Sequence, residues 1–390
     1  MSKNNRKSGE EMHLYVGVDK HKATFSAAHI NIGACTALLI TPGTLCMLMS
    51  WSPDYYRDVR PLADNKVTIW DNNGWAVRAS SKKSEILLWV SPYYLKCGSG
   101  CSYFLREAST WQTMAICIPK PSSIDAPMVD NDFVADGWYP SDLRNGSDLK
   151  VISTKKAVEW KIGSSSIICE PPDWTIHHRS ERVDLELLVH TDFPPIELRK
   201  GSEPGADYKW YMASANVAGQ ARIFEEKMDI EGFAHHERHT HMKEGFNPAD
   251  NKQGKGIWWI AIDMGGDRVF VQLRPSLHIA KAWVLTSGKL EEVEGEQKIF
   301  LKEGRMWTDP RSMLSVPSNW TLEIKFPAKT IRANIWAQAR SYYLWSYLRD
   351  SYMLLYWWLA HGIVQVKGTK IRRTESAKCI VHSNRIFMKR

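Results

Sequence analysis

The chain has 390 residues, 44% of them hydrophobic and 24% charged, which excludes a disordered polymer and points to a soluble globular protein. That length exceeds one ordinary domain and suggests two. The formal charge of +8 brings nucleic acid into consideration. However, no zinc-finger, RNP or helix-turn-helix signature is present, so no nucleic-acid partner is expected. The basic residues are dispersed, apart from Lys370, Arg372 and Arg373 and the pair Lys389-Arg390. A basic surface resting on an anionic membrane is the alternative this charge allows.

In chain order, residues 1–12 (MSKNNRKSGEEM) are polar, with no apolar run behind them, so no secretory signal is expected. The seven cysteines are irregularly spaced, which fits a reducing cytoplasm. Residues 34–51 (ACTALLITPGTLCMLMSW) carry Pro42-Gly43 at their centre and read as two strands around a turn, not as a membrane span. KVTIW-DNNG-WAVRAS reads as a hairpin turning at Asp71 to Gly74. SEILLWVS, TMAICIP and RVDLELLVH are further strands. Cys97 and Cys101, in CGSGC, read as two thiols. DWTIHHRSER, Asp173 to Arg182, reads as a solvated connection.

Prolines and glycines cluster from Pro194 to Lys209, which places a domain boundary near residue 203 and gives domains 1–203 and 204–390. After it, GIWWIAID-MGGD-RVFVQLR is a hairpin in which Gly265-Gly266-Asp267 supplies the positive-φ turn positions. Residues 329–350 fit either a helix or two strands. YYLWSYLRDSYMLLYWWLA holds Arg349-Asp350 in its middle and is not a membrane span. Many short strands with regular turn signals predict an all-β protein, sandwich or barrel. The eighteen tryptophans favour deep cores or a pocket for a bulky apolar ligand.

The densest chemistry lies in GFAHHERHTHM, residues 232–242. Read as a strand, His235, Glu237, His239 and His241 share one face, and His236, Arg238 and Thr240 the other. The first face suggests a metal site, since imidazole and carboxylate suit zinc. Alternate strand positions lie ~6.5–7 Å apart, so two neighbours can share an ion but a third is a stretch. His361 or Asp263 would have to close such a site. The second face suggests acid/base chemistry through His236 near an apolar cavity, where burial and neighbours tune a pKa.

Four segments in order carry a resemblance: YKWYMASANVAGQARIFEEKMDIEGFAHHER, GIWWIAIDMGGDRVFVQLR, SNWTLEIKFPAKTIRANIWAQA and YWWLAHGIVQVKGT. Together they resemble the hydroxyneurosporene synthase (acyclic carotenoid hydratase) family and its lipocalin-like relatives, over about residues 183–370. The resemblance implies two lipocalin-like antiparallel β-barrel or sandwich domains around an apolar cavity. It implies an enzyme that hydrates or cyclises an isoprenoid- or polyketide-like polyene without a redox cofactor. The family's D-H-E-W segment falls on His235-His236-Glu237-Arg238, so two of its four residues differ here. Its late glutamate falls on His361, ahead of Gly362.

These readings make His236, Glu237 and His361 the candidate catalytic residues. Tyr211, Arg238, Trp259 and Trp358 are the candidate substrate contacts. No metal is expected, the alternative being His235, Glu237, His239 and His241. The expected partner is a hydrophobic small molecule, with contact to a membrane surface considered, in a cytoplasmic protein. The runner-up function is a non-catalytic lipocalin-like carrier of lipid or pigment.

Overall fold

The computed structural model describes residues 56–62, 64–98, 107–137, 144–191, 196–200, 206–244, 256–274, 279–286, 289–348, 351–369 and 371–387. All of them belong to one compact unit, Met49–Arg390. Residues 34–51, Cys101, residues 245–255 and Arg349-Asp350 lie outside the described residues.

The described chain is almost entirely antiparallel strand, as the alternating patterns predict. It forms two large sheets, of thirteen and nine strands among the described residues, and a small ribbon pairing Met306–Thr308 with Ser315–Pro317. One large sheet curls into a half-barrel and the other nearly closes, which is a lipocalin-like two-barrel architecture. The chain passes from the first sheet to the second between Glu244 and Gly256. The strands on either side of residue 203, Ile196–Lys200 and Ala206–Ile223, pair with each other in the first sheet. Among the described residues no helix is long and apolar enough to cross a membrane.

Alternation along the strands sorts side chains into three layers. In Val67–Ser80, Trp75, Val77 and Ala79 enter the first sheet's own core, with Trp160, Trp174 and Leu187. Ala76, between them, faces a layer shared by both sheets, with Leu87, Trp89, Phe233, Trp259 and Trp357. Ile260, Val271, Trp320 and Trp358 fill the core of the second sheet. Trp357 and Trp358 thus serve different layers although they are adjacent. With both faces covered, Val67–Ser80 and Ser84–Lys96 are buried along nearly their whole length.

Four sequence expectations are corrected. Asp71 to Gly74 is no turn: Val67–Ser80 runs straight through it, paired with Glu226–Glu244 throughout and with Ser84–Lys96 on either side of Asn73 and Gly74. Gly74 is there because a Cβ would stand 2.3 Å from Cη2 of the Trp89 indole. Residues 329–348 form one long strand, Lys329–Leu348, whose register shifts between Ala337 and Ala339. DWTIHHR is the strand Asp173–Arg179, with Trp174, Ile176 and His178 turned inward. Cys97 is disulfide-bonded and not a thiol, while Cys117, Cys169 and Cys379 are free. The Gly-Gly-Asp hairpin forms as expected, with Gly265 at φ +79° and Met264 N donating to Asp267 O over 2.9 Å.

Gly232 sits where Glu226–Glu244 crosses Val67–Ser80. A Cβ there would lie 2.2 Å from the Arg78 carbonyl oxygen and 2.7 Å from Ala79 Cα, both backbone atoms that cannot swing aside. Gly232→Ala is therefore expected to destabilise the fold by about 1–3 kcal/mol, read as a lower urea midpoint with an unchanged m-value.

Candidate functional site

The strand Glu226–Glu244 runs between Val67–Ser80 and Ala206–Ile223 in the middle of the first sheet. Its two faces enter two different layers. His236 is fully buried in the first core. Its ring centroid lies 4.8 Å from that of Trp75, 4.9 Å from Trp174 and 5.3 Å from Tyr56. Its Nε2 is 2.7 Å from Asn73 Oδ1. A carbonyl oxygen only accepts, so Nε2 carries the ring proton and Nδ1 keeps a lone pair. The Asn73 amide nitrogen, 3.7 Å from Cys169 Sγ, is consistent with that orientation. Nδ1 has no hydrogen-bond partner, and neither do the buried Nε1 atoms of Trp75 and Trp174.

Two residues on, Arg238 forms an ion pair with Asp71 in which both side chains are 1% exposed. Its guanidinium also donates to Asn72 O at 3.2 Å and Arg57 O at 3.3 Å, and lies 4.6 Å over the Trp160 ring. Thr240 completes the row by donating to Asp71 over 3.0 Å. These are cross-strand diagonals: Asn73 stands opposite Arg238 and reaches His236, while Asp71 stands opposite Thr240 and reaches Arg238. Trp160 donates from Nε1 to Tyr56 O over 2.7 Å, which tethers Tyr56 above the same core.

Asp71, Asn73, Trp75, Trp174 and Tyr56 were not singled out from sequence. The first two carry the composition of a turn, and buried polar partners use the same residue types. His178 was also missed. It stacks on Trp111 at an interplanar angle of 8°, with Nδ1 2.8 Å from Ser165 Oγ and Nε2 3.0 Å from Thr113 Oγ1.

The opposite face of the stretch enters the layer between the sheets. His235 stacks on Phe270 at 4.4 Å and lies 4.7 Å from Trp259. Trp259 is fully buried there against Trp357 and His382. Glu237 is 9% exposed, and His239 lies 6.5 Å from Trp70. His361 joins the same layer elsewhere: its Nε2 accepts from Arg78 Nη2 over 2.6 Å and lies 3.7 Å from Glu85. His236 and His361 therefore do not share a pocket. Trp358 is in the second core, stacked on Tyr356 and donating to Ser383 Oγ over 3.1 Å. Tyr211 pairs in register with Arg238, and its side chain is outside those described.

The candidate residues are thus divided among three layers, with His236 and Arg238 together in the first core. Among the described residues no group of three or more His, Cys, Asp or Glu side chains is placed to hold a metal ion. The His241 side chain lies outside that description. A recess between Asp125, Met128, Arg305, Asn319 and Trp336 contains none of the candidates.

No known family profile matches the chain, and no curated protein does. Solved structures do match. A protein assigned as AttH from Nitrosomonas europaea is 11% identical, with 88% of this chain and 99% of that one covered at a TM-score of 0.54. CghA, solved with Sch210972, is 10% identical, with 80% and 88% covered at 0.50. Kievitone hydratase from Nectria haematococca is 8% identical, with 88% and 96% covered at 0.47. At these identities the first two likenesses show a shared fold and nothing more.

Burial dominates the electrostatics. It pushes His236 well below the ordinary histidine value, with neighbouring His235 adding to the shift. It takes His235 to about 3, and His178 to about 4 against the opposing pull of Asp184. All three imidazoles are neutral at neutral pH. Burial also lowers the Arg238 guanidinium to about 9, with Asp58 and Tyr56 opposing, so it stays charged at neutral pH.

The pH dependence of stability follows. In the unfolded chain these histidines bind protons near pH 6.5, but His178 in the fold does so only near 4. Between those values the unfolded state holds more protons, so stability is lost as pH falls. The urea midpoint is expected to drop from pH 7 to pH 5, and His178→Gln should flatten the slope. A separate expectation concerns the buried ion pair: Asp71→Ala should cost about 3–5 kcal/mol, because it strands the Arg238 charge. Urea denaturation of both proteins checks it.

Proposed function

We propose that the protein is an enzyme that performs acid/base chemistry on a hydrophobic unsaturated molecule, with His236 as the proton-transferring group and without a redox cofactor. One observation carries this reading. A fully buried imidazole, oriented by Asn73, presents an unshared Nδ1 among the rings of Tyr56, Trp75 and Trp174. Packing alone does not call for a polar ring with a free nitrogen in an apolar core, since such a group costs free energy when unpaired.

Because burial keeps the resting imidazole neutral, it acts first as a base. An acid-first route through a resting imidazolium is disfavoured by the same burial. Aromatic faces around it suit an electron-poor or cationic intermediate. Hydration and ring closure of a polyene or related apolar chain both fall within this chemistry. The hydrophobic partner is inferred from the aromatic surroundings of His236. A carrier would need the aromatic walls but not the Asn73-oriented imidazole.

The test pairs binding with turnover. Polyenes, fatty acids and isoprenoids are titrated against tryptophan fluorescence and then incubated with the protein for product analysis. We expect saturable quenching and conversion of at least one compound, with turnover reduced about 10²–10⁴-fold in His236→Gln while quenching persists. Binding without conversion would make the protein a carrier. Full activity in His236→Gln would remove the imidazole from the chemistry. Elemental analysis of untagged protein checks the other face: about one zinc per chain, lost in His235→Ala or His239→Ala, would transfer the function to that side.

A further inference from the structure

Buried indole N–H groups are nearly always paired. Trp160, Trp283 and Trp358 obey, donating to Tyr56 O at 2.7 Å, Glu292 Oε2 at 3.0 Å and Ser383 Oγ at 3.1 Å. Trp111, Trp259, Trp320 and Trp357 do not, and neither do Trp75 and Trp174. Their ring centroids are 5.0 Å apart, and each lies within 4.9 Å of the His236 ring. Two donors and one acceptor, all fully buried or nearly so, are therefore left unpaired within one cluster of three rings. His235 Nε2 and Trp259 Nε1 are also unpaired in the layer between the sheets. Trp357 Nε1, on a ring 5.5 Å from that of Trp259, is unpaired there too.

We propose that Trp75 Nε1–H, Trp174 Nε1–H and His236 Nδ1 hold one water molecule, and that this water is the reactant added to the substrate. The proposal rests on the enzymatic reading of His236 and chooses hydration over ring closure. The chemistry of the three groups matches water. The indoles donate to its oxygen and Nδ1 accepts its proton, and three hydrogen bonds are what a buried water usually makes. Trp75 and Trp174 are then positioning residues, and Asn73 is a third, because it places the ring proton on Nε2 and leaves Nδ1 to the water.

The donor set also narrows the substrate. A neutral imidazole cannot protonate an isolated alkene, but it can deprotonate water as that water attacks an electron-poor carbon. The double bond attacked is therefore conjugated to a carbonyl. The water O–H bond breaks and its proton goes to Nδ1. A C–O bond forms at the β-carbon, and the π electrons move to the carbonyl oxygen as an enolate. The proton returns from Nδ1 to the α-carbon, which restores the carbonyl and the neutral imidazole. The net change is addition of H and OH, with no other reactant.

The test has a structural and a chemical arm. A crystal structure of the full chain should show an oxygen peak within about 3.2 Å of all three nitrogens. In H₂¹⁸O, β-ionone, an apolar enone, should gain label on a saturated carbon, while squalene, whose double bonds are isolated, should stay unchanged. Trp75→Phe and Trp174→Phe should each lower kcat about tenfold with KM and thermal melting retained, as loss of one hydrogen bond to a reacting group predicts. No oxygen peak, or unchanged kcat in both Phe variants, overturns the water site. If His236→Gln still abolishes turnover in that case, the imidazole keeps its proposed role. Hydration of squalene and not of β-ionone overturns the substrate class alone. A peak with neither probe converted overturns the water's role as reactant.

Discussion

A guanidinium sealed inside an apolar core must take its counter-ion with it, and the first sheet is arranged around that requirement. Arg238 is 1% exposed and so is Asp71. The pair sits on a cross-strand diagonal, so it forms only when Val67–Ser80 and Glu226–Glu244 meet in one register. An ion pair of this kind adds little net stability over an apolar replacement, but breaking it is costly. Here its effect is to hold a polar row in place. Thr240, Asp71 and Arg238 form one hydrogen-bonded set, and Asn73 and His236 a second beside it on the same face, within a core otherwise filled by indoles and aliphatic chains. The orientation of the His236 ring depends on Asn73.

The same two-sheet arrangement explains why so many tryptophans are present. Three packed layers need bulky residues on both faces of every central strand, and the adjacent rings of Trp357 and Trp358 feed two of those layers. Most of the eighteen indoles answer to that packing demand. Those of Trp75 and Trp174 pack ring to ring against the His236 imidazole with their Nε1 atoms unpaired.

The period-two pattern made much of the architecture legible. It predicted the strands at Gly256–Asp263 and Arg268–Arg274, the turn between them, and the separation of His235 from His236. It failed where local chemistry is ambiguous. Asp71, Asn72, Asn73 and Gly74 have the composition of a tight turn, and only the distant Arg238, His236 and Trp89 make sense of them in mid-strand. Residues 329–348 carry alanines, a glutamine and arginines that suit helix as well as strand, so tertiary pairing decided. The partners of His361 were illegible for another reason. Arg78 and Glu85 come from strands far earlier in the chain, and the layer between the sheets brings them together. Conversely, the grouping of His361 with His236 assumed one shared interior, whereas the fold has separate ones.

His235 and His236 are joined by one peptide bond yet belong to separate interiors, so the strand between them acts as a partition wall. A slip of a single residue would turn every side chain to the other side of that wall. Arg238 would then enter the layer of Trp259 and Phe270, and Glu237 would enter the core of Trp75 and Trp174 without a guanidinium to meet it. Both chambers would hold an unmatched charge at once. The Arg238–Asp71 pair thus works as a lock on alignment, since only one of the two settings of the strand lets the guanidinium meet its carboxylate. That reading gives the crowded HHERH stretch a role in folding that precedes its chemistry: it specifies which face of the wall is which.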